Sequence, residues 1–201
     1  MHLIEVFCSI QGEGPAMGRP ATFVRLAGCN LRCMGCDTNL RQGHDLSAGD
    51  VANMVRGARA VITGGEPTLQ MDELTALISL LHSQGKEVDI ETNGTNPIAE
   101  ETLANVHYAV VSPKRGSNCN LDYWALKENV HLKFVLGKEP WCWTAQLLEE
   151  IIGGYRLAKE RVWIMAYGAE EGMQGAKEAW DLALRLGVNY SDRLHIRLMR
   201  R

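Results

Sequence analysis

The feature that most constrains this chain is an alternation. Short β-like runs keep giving way to stretches of helical spacing, and most runs end at glycine, asparagine or proline. Residues 3–9, 21–27, 60–63, 88–92, 108–111, 130–135 and 161–165 read as strands. Ser47 with Asp50 three residues on predicts a helix start, running from Val51 to about Ala58. Apolar residues at Met71, Leu74, Leu77, Ile78 and Leu81 predict a helix over 70–83. Further helices are expected over 97–103, over 143–152 with Gly153-Gly154 as the stop, and over 171–186. Residues 115–126 form the longest irregular stretch, and 193–198 are a candidate last strand. Such alternation calls for an α/β fold of parallel strands with helical crossovers. Its working residues gather at the carboxyl ends of the strands.

Cys29, Cys33 and Cys36 follow the second strand at spacing C-x3-C-x2-C. Three thiolates are one short of a closed structural zinc site and one short of the four that fully ligate a four-iron cluster. Zinc completed by His44, or three small buried hydrophobes, are readings that the spacing alone leaves open. The other cysteines, Cys8, Cys119 and Cys142, are scattered, which is no disulfide framework. A reducing, cytoplasmic setting is expected. The net charge of −3 supplies no basic field for nucleic acid. No apolar run approaches the length of a membrane span, and the first residues lack a signal-peptide pattern. At 201 residues, one domain spanning 1–201 is expected, with a core that needs no disulfides.

Other polar groups cluster at strand ends. Ile10-Gln11-Gly12-Glu13-Gly14 is a glycine-punctuated turn. Arg25 is a charge inside an apolar run: a solvated face residue, or a guanidinium placed to grip a carboxylate with two parallel bonds. Gly64-Gly65-Glu66-Pro67 closes the 60–63 strand with two residues that let a ligand or backbone come close. Asn93-Gly94 and Ser112-Pro113-Lys114 close the next two strands.

The cysteine loop with Gly-Gly-Glu-Pro resembles the radical S-adenosylmethionine (SAM) superfamily. Phe7 to Gly14, Arg25 to Leu31, Cys36-Asp37-Thr38, Thr63 to Pro67, Glu91-Thr92-Asn93-Gly94 and Val111 to Lys114, read together, resemble the 7-carboxy-7-deazaguanine synthase family. The likeness is dense from about residue 3 to 114 and thin afterwards. It implies an incomplete radical-SAM βα barrel with parallel strands. It implies a carbon–nitrogen lyase in queuosine and deazapurine biosynthesis, in which a 5′-deoxyadenosyl radical drives ring contraction of 6-carboxy-5,6,7,8-tetrahydropterin, with loss of ammonia and regeneration of SAM. Cofactors would be a [4Fe-4S] cluster, SAM and Mg²⁺. An external electron donor of flavodoxin or ferredoxin type and a homodimer are further implications.

The resemblance also implies roles. Cys29, Cys33 and Cys36 would bind the cluster, and Thr38 would ligate Mg²⁺ through its hydroxyl. Gly35, Cys36, Asp37, Gly65, Ser112, Pro113 and Lys114 would touch SAM. Ile10, Gln11, Gly12, Arg25 and Thr63 would meet the pterin, with Arg25 on its carboxylate. The chain departs from the family pattern at Ile164-Met165-Ala166-Tyr167-Gly168, where a Gln-Pro-like pair is more usual. It departs again at the tail, 195–201, where a Gln-Thr-His-Lys-like segment is more usual and His195 and Arg197 stand instead. Trp124, Trp141, Trp143, Trp163 and Trp180 read as core or interface anchors. Two other readings compete: a small activase that makes a glycyl radical on a partner protein, and a zinc or iron–sulfur binding module without catalysis.

Overall fold

A computed structural model describes residues 1–36, 38, 43–154, 157–168 and 173–200. The chain divides into two compact units. The first comprises Met1–Ile10, Arg19–Thr92 and Asn96–Ala109; the second comprises Gln11–Gly18, Asn93–Thr95 and Val110–Arg201.

The first unit contains β1 (His2–Ile10), β2 (Pro20–Leu26), β3 (His44–Asp45), α1 (Ala48–Met54), β4 (Arg59–Gly64), α2 (Met71–Ser83), β5 (Glu87–Thr92) and α3 (Glu100–Leu103). Its strands run in the order β3-β1-β2-β4-β5. The β2–β4 and β4–β5 pairs are parallel, as the alternation predicts, while β1 is antiparallel to β2 and β3. The exception has a simple cause. Residues 11–19 are too few for a helical crossover, which takes a dozen residues or more.

One face of this sheet is aliphatic. Val24, Leu26, Ala60, Ile62, Val88 and Ile90 are fully buried there, as are Leu74, Leu77, Ile78 and Leu81 of α2, which packs on β5 and α1. Each of the valine, leucine and isoleucine side chains contributes about 1.5–3 kcal/mol on burial. Strand period 2 sends the intervening residues to the other face. There the register aligns Glu5 with Arg25 and Thr63, Phe7 with Phe23, Val61 and Asp89, and Arg59 with Glu87. A middle row that is apolar at Phe7, Phe23 and Val61 and ends in Asp89 thus lies between two polar rows, one at each end of the parallel strands.

β6 (Tyr108–Val111) is divided between the units. The second unit adds α4 (Leu121–Ala125), β7 (Val130–Leu136), α5 (Ala145–Gly154), β8 (Val162–Ala166), α6 (Met173–Leu186), β9 (Asn189–Ser191) and α7 (Leu194–Arg197). β7, β8 and β9 are parallel neighbours, and α6 packs on β8, β9 and α5. In both units the strand order is linear, not closed. Among the described residues no helix is long and apolar enough to cross a membrane.

Several element boundaries depart from expectation. Ser47 caps α1 by accepting the Asp50 N–H at 3.1 Å, but the helix ends at Met54, ahead of Gly57 in the left-handed region (φ 70°). Only residues 100–103 of the 97–103 segment are helical. The supposedly irregular 115–126 stretch contains α4, capped by Asn120, whose Oδ1 accepts the Tyr123 N–H at 3.0 Å. Trp124 is fully buried and donates its indole N–H to the Gly94 carbonyl at 2.8 Å, which anchors that stretch. The candidate last strand 193–198 is instead the helix α7, and the last strand is β9. Asp192 decides this: its Oδ1 accepts the Arg193 N–H at 2.8 Å, and Arg197, one helical turn on, returns to the same carboxylate at 3.1 Å. His195 and Arg197 therefore lie on a helix and not on a strand.

Candidate functional site

The cysteine loop leaves β2 through Gly28, in the left-handed region (φ 83°), and turns again at Gly35 (φ 70°). It is joined by backbone to the Gly-Gly-Glu-Pro turn. The Gly65 N–H donates to the Leu26 carbonyl at 2.9 Å and the Glu66 N–H to the Gly28 carbonyl at 2.8 Å. Gly64 explains why the motif needs glycine: at φ 126°, a Cβ there would lie 2.2 Å from the Leu26 oxygen. Glu66 is fully buried and faces inward. One of its oxygens accepts the Thr68 N–H (3.1 Å), the Thr68 hydroxyl (2.6 Å) and the Thr92 hydroxyl (2.7 Å). Its carboxylate braces the turn, while Gly65 is the residue that leaves backbone accessible beside the loop.

None of the three loop cysteines is in a disulfide and none is buried. The Leu31 N–H points to Cys29 Sγ at 3.4 Å, and the Cys36 N–H donates to the Cys33 carbonyl at 3.3 Å. Among the described residues no three His, Cys, Asp or Glu side chains are gathered closely enough to hold a metal ion. The sulfurs share a loop without being preformed around a point. As donors they fit three irons of a four-iron cluster and leave the fourth iron without protein sulfur. His44, the alternative zinc ligand, is instead exposed in the edge strand β3. Asp37 lies outside the described residues.

Arg25 and Thr38 meet. Arg25 Nη1 donates to Thr38 Oγ1 at 3.2 Å, and its Nε donates to Glu5 Oε1 at 3.0 Å. The guanidinium also lies 5.7 Å from the Phe7 ring centre. Its side chain is 25% exposed, so the charge is oriented without being sealed in. On the same sheet face Thr63 donates its hydroxyl to Glu91 Oε2 at 2.7 Å. This row of Glu5, Arg25, Thr63 and Glu91 pairs cationic and hydroxyl donors with carboxylate acceptors at the carboxyl ends of β2, β4 and β5. Ile10, the last residue of β1, is half exposed at the opposite end of the β1–β2 ladder, against Pro20.

The remaining predicted residues belong to the second unit. Gln11 is buried, and its Oε1 accepts the Glu13 N–H at 3.2 Å. Gly12 is packed against the C-terminal helix: a Cβ there would come 2.2 Å from His195 Nδ1. Lys114 Nζ folds back onto Ser112, onto the carbonyl at 2.7 Å and the hydroxyl at 2.8 Å, and lies 5.6 Å from the Trp141 ring. The Pro113 carbonyl accepts the indole N–H of Trp143 at 2.7 Å. Trp141 and Trp143 thus brace the Ser112-Pro113-Lys114 turn. Tyr167, at the divergent end of β8, packs edge-on to Trp141 at 5.2 Å.

Sequence reasoning missed Glu5, Glu91, Lys133 and Arg193. Lys133 of β7 and Arg193 both pair with Glu13. Burial pushes the Glu13 carboxyl up, but Lys133 and then Arg193 and His195 outweigh it and hold it below its ordinary value. Only pairing register or long-range proximity reveals these partners, and neither is a local signal.

The radical SAM superfamily model matches residues 23–114. A 7-carboxy-7-deazaguanine synthase from Hyperthermus butylicus is 35% identical over 219 residues, covering 98% of this chain and 92% of the relative. One from Pyrobaculum aerophilum is 35% identical over 214 residues, covering 98% and 93%. Among solved structures, the crystal structure of QueE from Escherichia coli shares the fold, with a TM-score of 0.76 at 23% identity over 96% of this chain and 94% of that one.

Proposed function

This chain belongs to the 7-carboxy-7-deazaguanine synthase family of radical SAM enzymes, and from that premise we propose that it contracts the ring of 6-carboxy-5,6,7,8-tetrahydropterin, with Mg²⁺ and loss of ammonia, to give 7-carboxy-7-deazaguanine. The superfamily implies a four-iron cluster and SAM, which when bound supply the radical that takes a hydrogen atom from the substrate. Cys29, Cys33 and Cys36 would hold the cluster. Gly35, Cys36, Asp37, Gly65, Ser112, Pro113 and Lys114 would hold SAM.

The observation that carries the reading is the Arg25–Thr38 hydrogen bond, 3.2 Å, beside Glu5. A guanidinium suited to a carboxylate and a hydroxyl suited to a hard cation stand together next to the cysteine loop. A substrate carboxylate bridging Arg25 and a Thr38-bound Mg²⁺ would use both. Thr63, with Glu91 behind it, would contact the pterin ring, as would Ile10, Gln11 and Gly12. A flavodoxin- or ferredoxin-type donor and a homodimer complete the proposal.

The test is anaerobic turnover of the iron- and sulfide-reconstituted protein with SAM, dithionite, Mg²⁺ and the pterin. The expected result is 7-carboxy-7-deazaguanine over many turnovers without matching 5′-deoxyadenosine. Accumulating 5′-deoxyadenosine with no deazaguanine would reject this substrate. Cys33→Ala should abolish cluster loading, read as iron content and the cluster's visible absorbance. Full iron content in that variant would reject the cluster assignment.

A further inference from the structure

The Gln11–Gly18 turn carries the substrate-side motif, yet it is fastened to residues near the other end of the chain. The Gly14 N–H donates to Ser191 Oγ at 2.9 Å, and Ser191 is fully buried. The Leu194 N–H donates to the Gly12 carbonyl at 3.1 Å, and His195 lies directly over Gly12. Arg193 Nε donates to Glu13 Oε1 at 3.2 Å, while Lys133 Nζ takes the other Glu13 oxygen. The three charged side chains are 14% (Glu13), 7% (Lys133) and 17% (Arg193) exposed.

Burying such a cluster contributes little net stability, because desolvation offsets most of the attraction. An apolar trio would fill the space as well. What charges add is direction: two donors arriving from β7 and from the start of α7 fix both carboxylate oxygens. Glu13 in turn fixes its neighbours, because its own N–H holds the Gln11 carboxamide oxygen.

We propose that Lys133 and Arg193 are positioning residues that act through Glu13, setting Gln11 and Gly12 at the geometry the pterin requires. This rests on the function proposed above, and it adds two residues and a segment that the motif itself does not contain.

Lys133→Met removes the cation and keeps most of the side-chain volume. A misplacement of about 1 Å costs up to about 100-fold in rate. The expected result is a fall of about 10- to 100-fold in kcat/KM for the pterin, with KM for SAM and iron content unchanged. The neutral pair Glu13→Gln with Lys133→Met should recover most of that loss. Hydrogen exchange should accelerate at the amides of Gly12, Gly14 and Leu194 and stay unchanged at Gly65 and Glu66. Arg193→Gln, at the more exposed edge of the cluster, should act the same way more weakly, and it decides the matter if Lys133→Met does not fold. An unchanged pterin kcat/KM in either folded variant overturns the proposal. So does a parallel rise of both substrates' KM with loss of iron, which would mark a general structural role. Should the wild type produce no deazaguanine from this pterin, the functional reading fails separately, and exchange decides the clamp: faster exchange at both ends upholds it, unchanged exchange overturns it.

Discussion

Arg59 and Arg25 lie on neighbouring parallel strands and on one face of the same sheet, Arg59 at the start of β4 and Arg25 near the end of β2. Each has an aromatic ring 5.7 Å from its guanidinium carbon, Tyr108 for Arg59 and Phe7 for Arg25. Each pairs with carboxylates. Their surroundings then diverge. Arg59 is 6% exposed and is held by Asp89, itself 3% exposed, and by Glu87. Arg25 is 25% exposed, and among the described residues it meets the Glu5 carboxylate and the Thr38 hydroxyl. A guanidinium sealed against a buried acid is a structural part, whereas one that stays partly exposed beside a loop of thiols can still receive a ligand. The same residue type in the same sheet is told apart by exposure and by the burial of its acid, not by identity.

The largest effect should come from breaking the structural arginine. Arg59→Met leaves Asp89 buried without its cation, and Asp89 Oδ1 already has no hydrogen-bond partner. Loss of one partner from a buried pair costs about 3–5 kcal/mol, measurable by urea unfolding. A change below about 1 kcal/mol would erase the distinction drawn between the two arginines.

Arg25→Lys should do the reverse. Stability should move by less than about 1 kcal/mol. The pterin kcat/KM should fall by about 10- to 100-fold, the equivalent of the roughly 1.5–3 kcal/mol of a charged hydrogen bond, because lysine cannot present two parallel donors. SAM binding should be unchanged; a matching loss of SAM affinity would move Arg25 from the substrate to the cofactor.

Two buried acids, Asp89 behind Arg59 and Glu13 behind Lys133 and Arg193, give opposite pH signatures. Burial raises the Asp89 carboxyl above its ordinary 3.8, and Arg59 only partly offsets it. The folded state therefore holds that proton longer than the unfolded chain, and the stabilising contribution falls as pH rises through the folded value. Glu13, held below 4.5, contributes stability that is present above 4.5 and is lost as pH falls through its folded value. Unfolding followed from pH 3 to 7 should show Glu13→Gln flattening the acid-side loss. Asp89→Asn should remove the opposing slope, so that stability increases more from pH 4 to 7 than in the wild type. Identical slopes in the two variants would contradict these assignments. The smallest change is expected for Thr63→Val, which takes one neutral hydroxyl from the proposed pterin contacts: about 0.5–1.5 kcal/mol, read as a rise of no more than about tenfold in pterin KM.

Much of this molecule is determined by local rules. Apolar period and punctuating glycines place β2, β4, β5, α2 and β7, and Ser47 marks its own helix start. The three-cysteine spacing and Gly64-Gly65-Glu66-Pro67 carry the family resemblance, each within a few residues. Where local signals conflict, they mislead. The segment 193–198 is too short to separate helix from strand by period, and Asp192 decides for the helix through a side-chain bond. Other assignments belong to tertiary structure alone. Nothing local pairs Arg25 with Glu5 or Thr63 with Glu91, since that needs strand order and register. Glu13 meets Lys133 across 120 residues and Arg193 across 180. Such pairs form only after the whole chain has chosen which faces to bury. That choice is a global balance of apolar area against chain entropy, which no short window of residues contains.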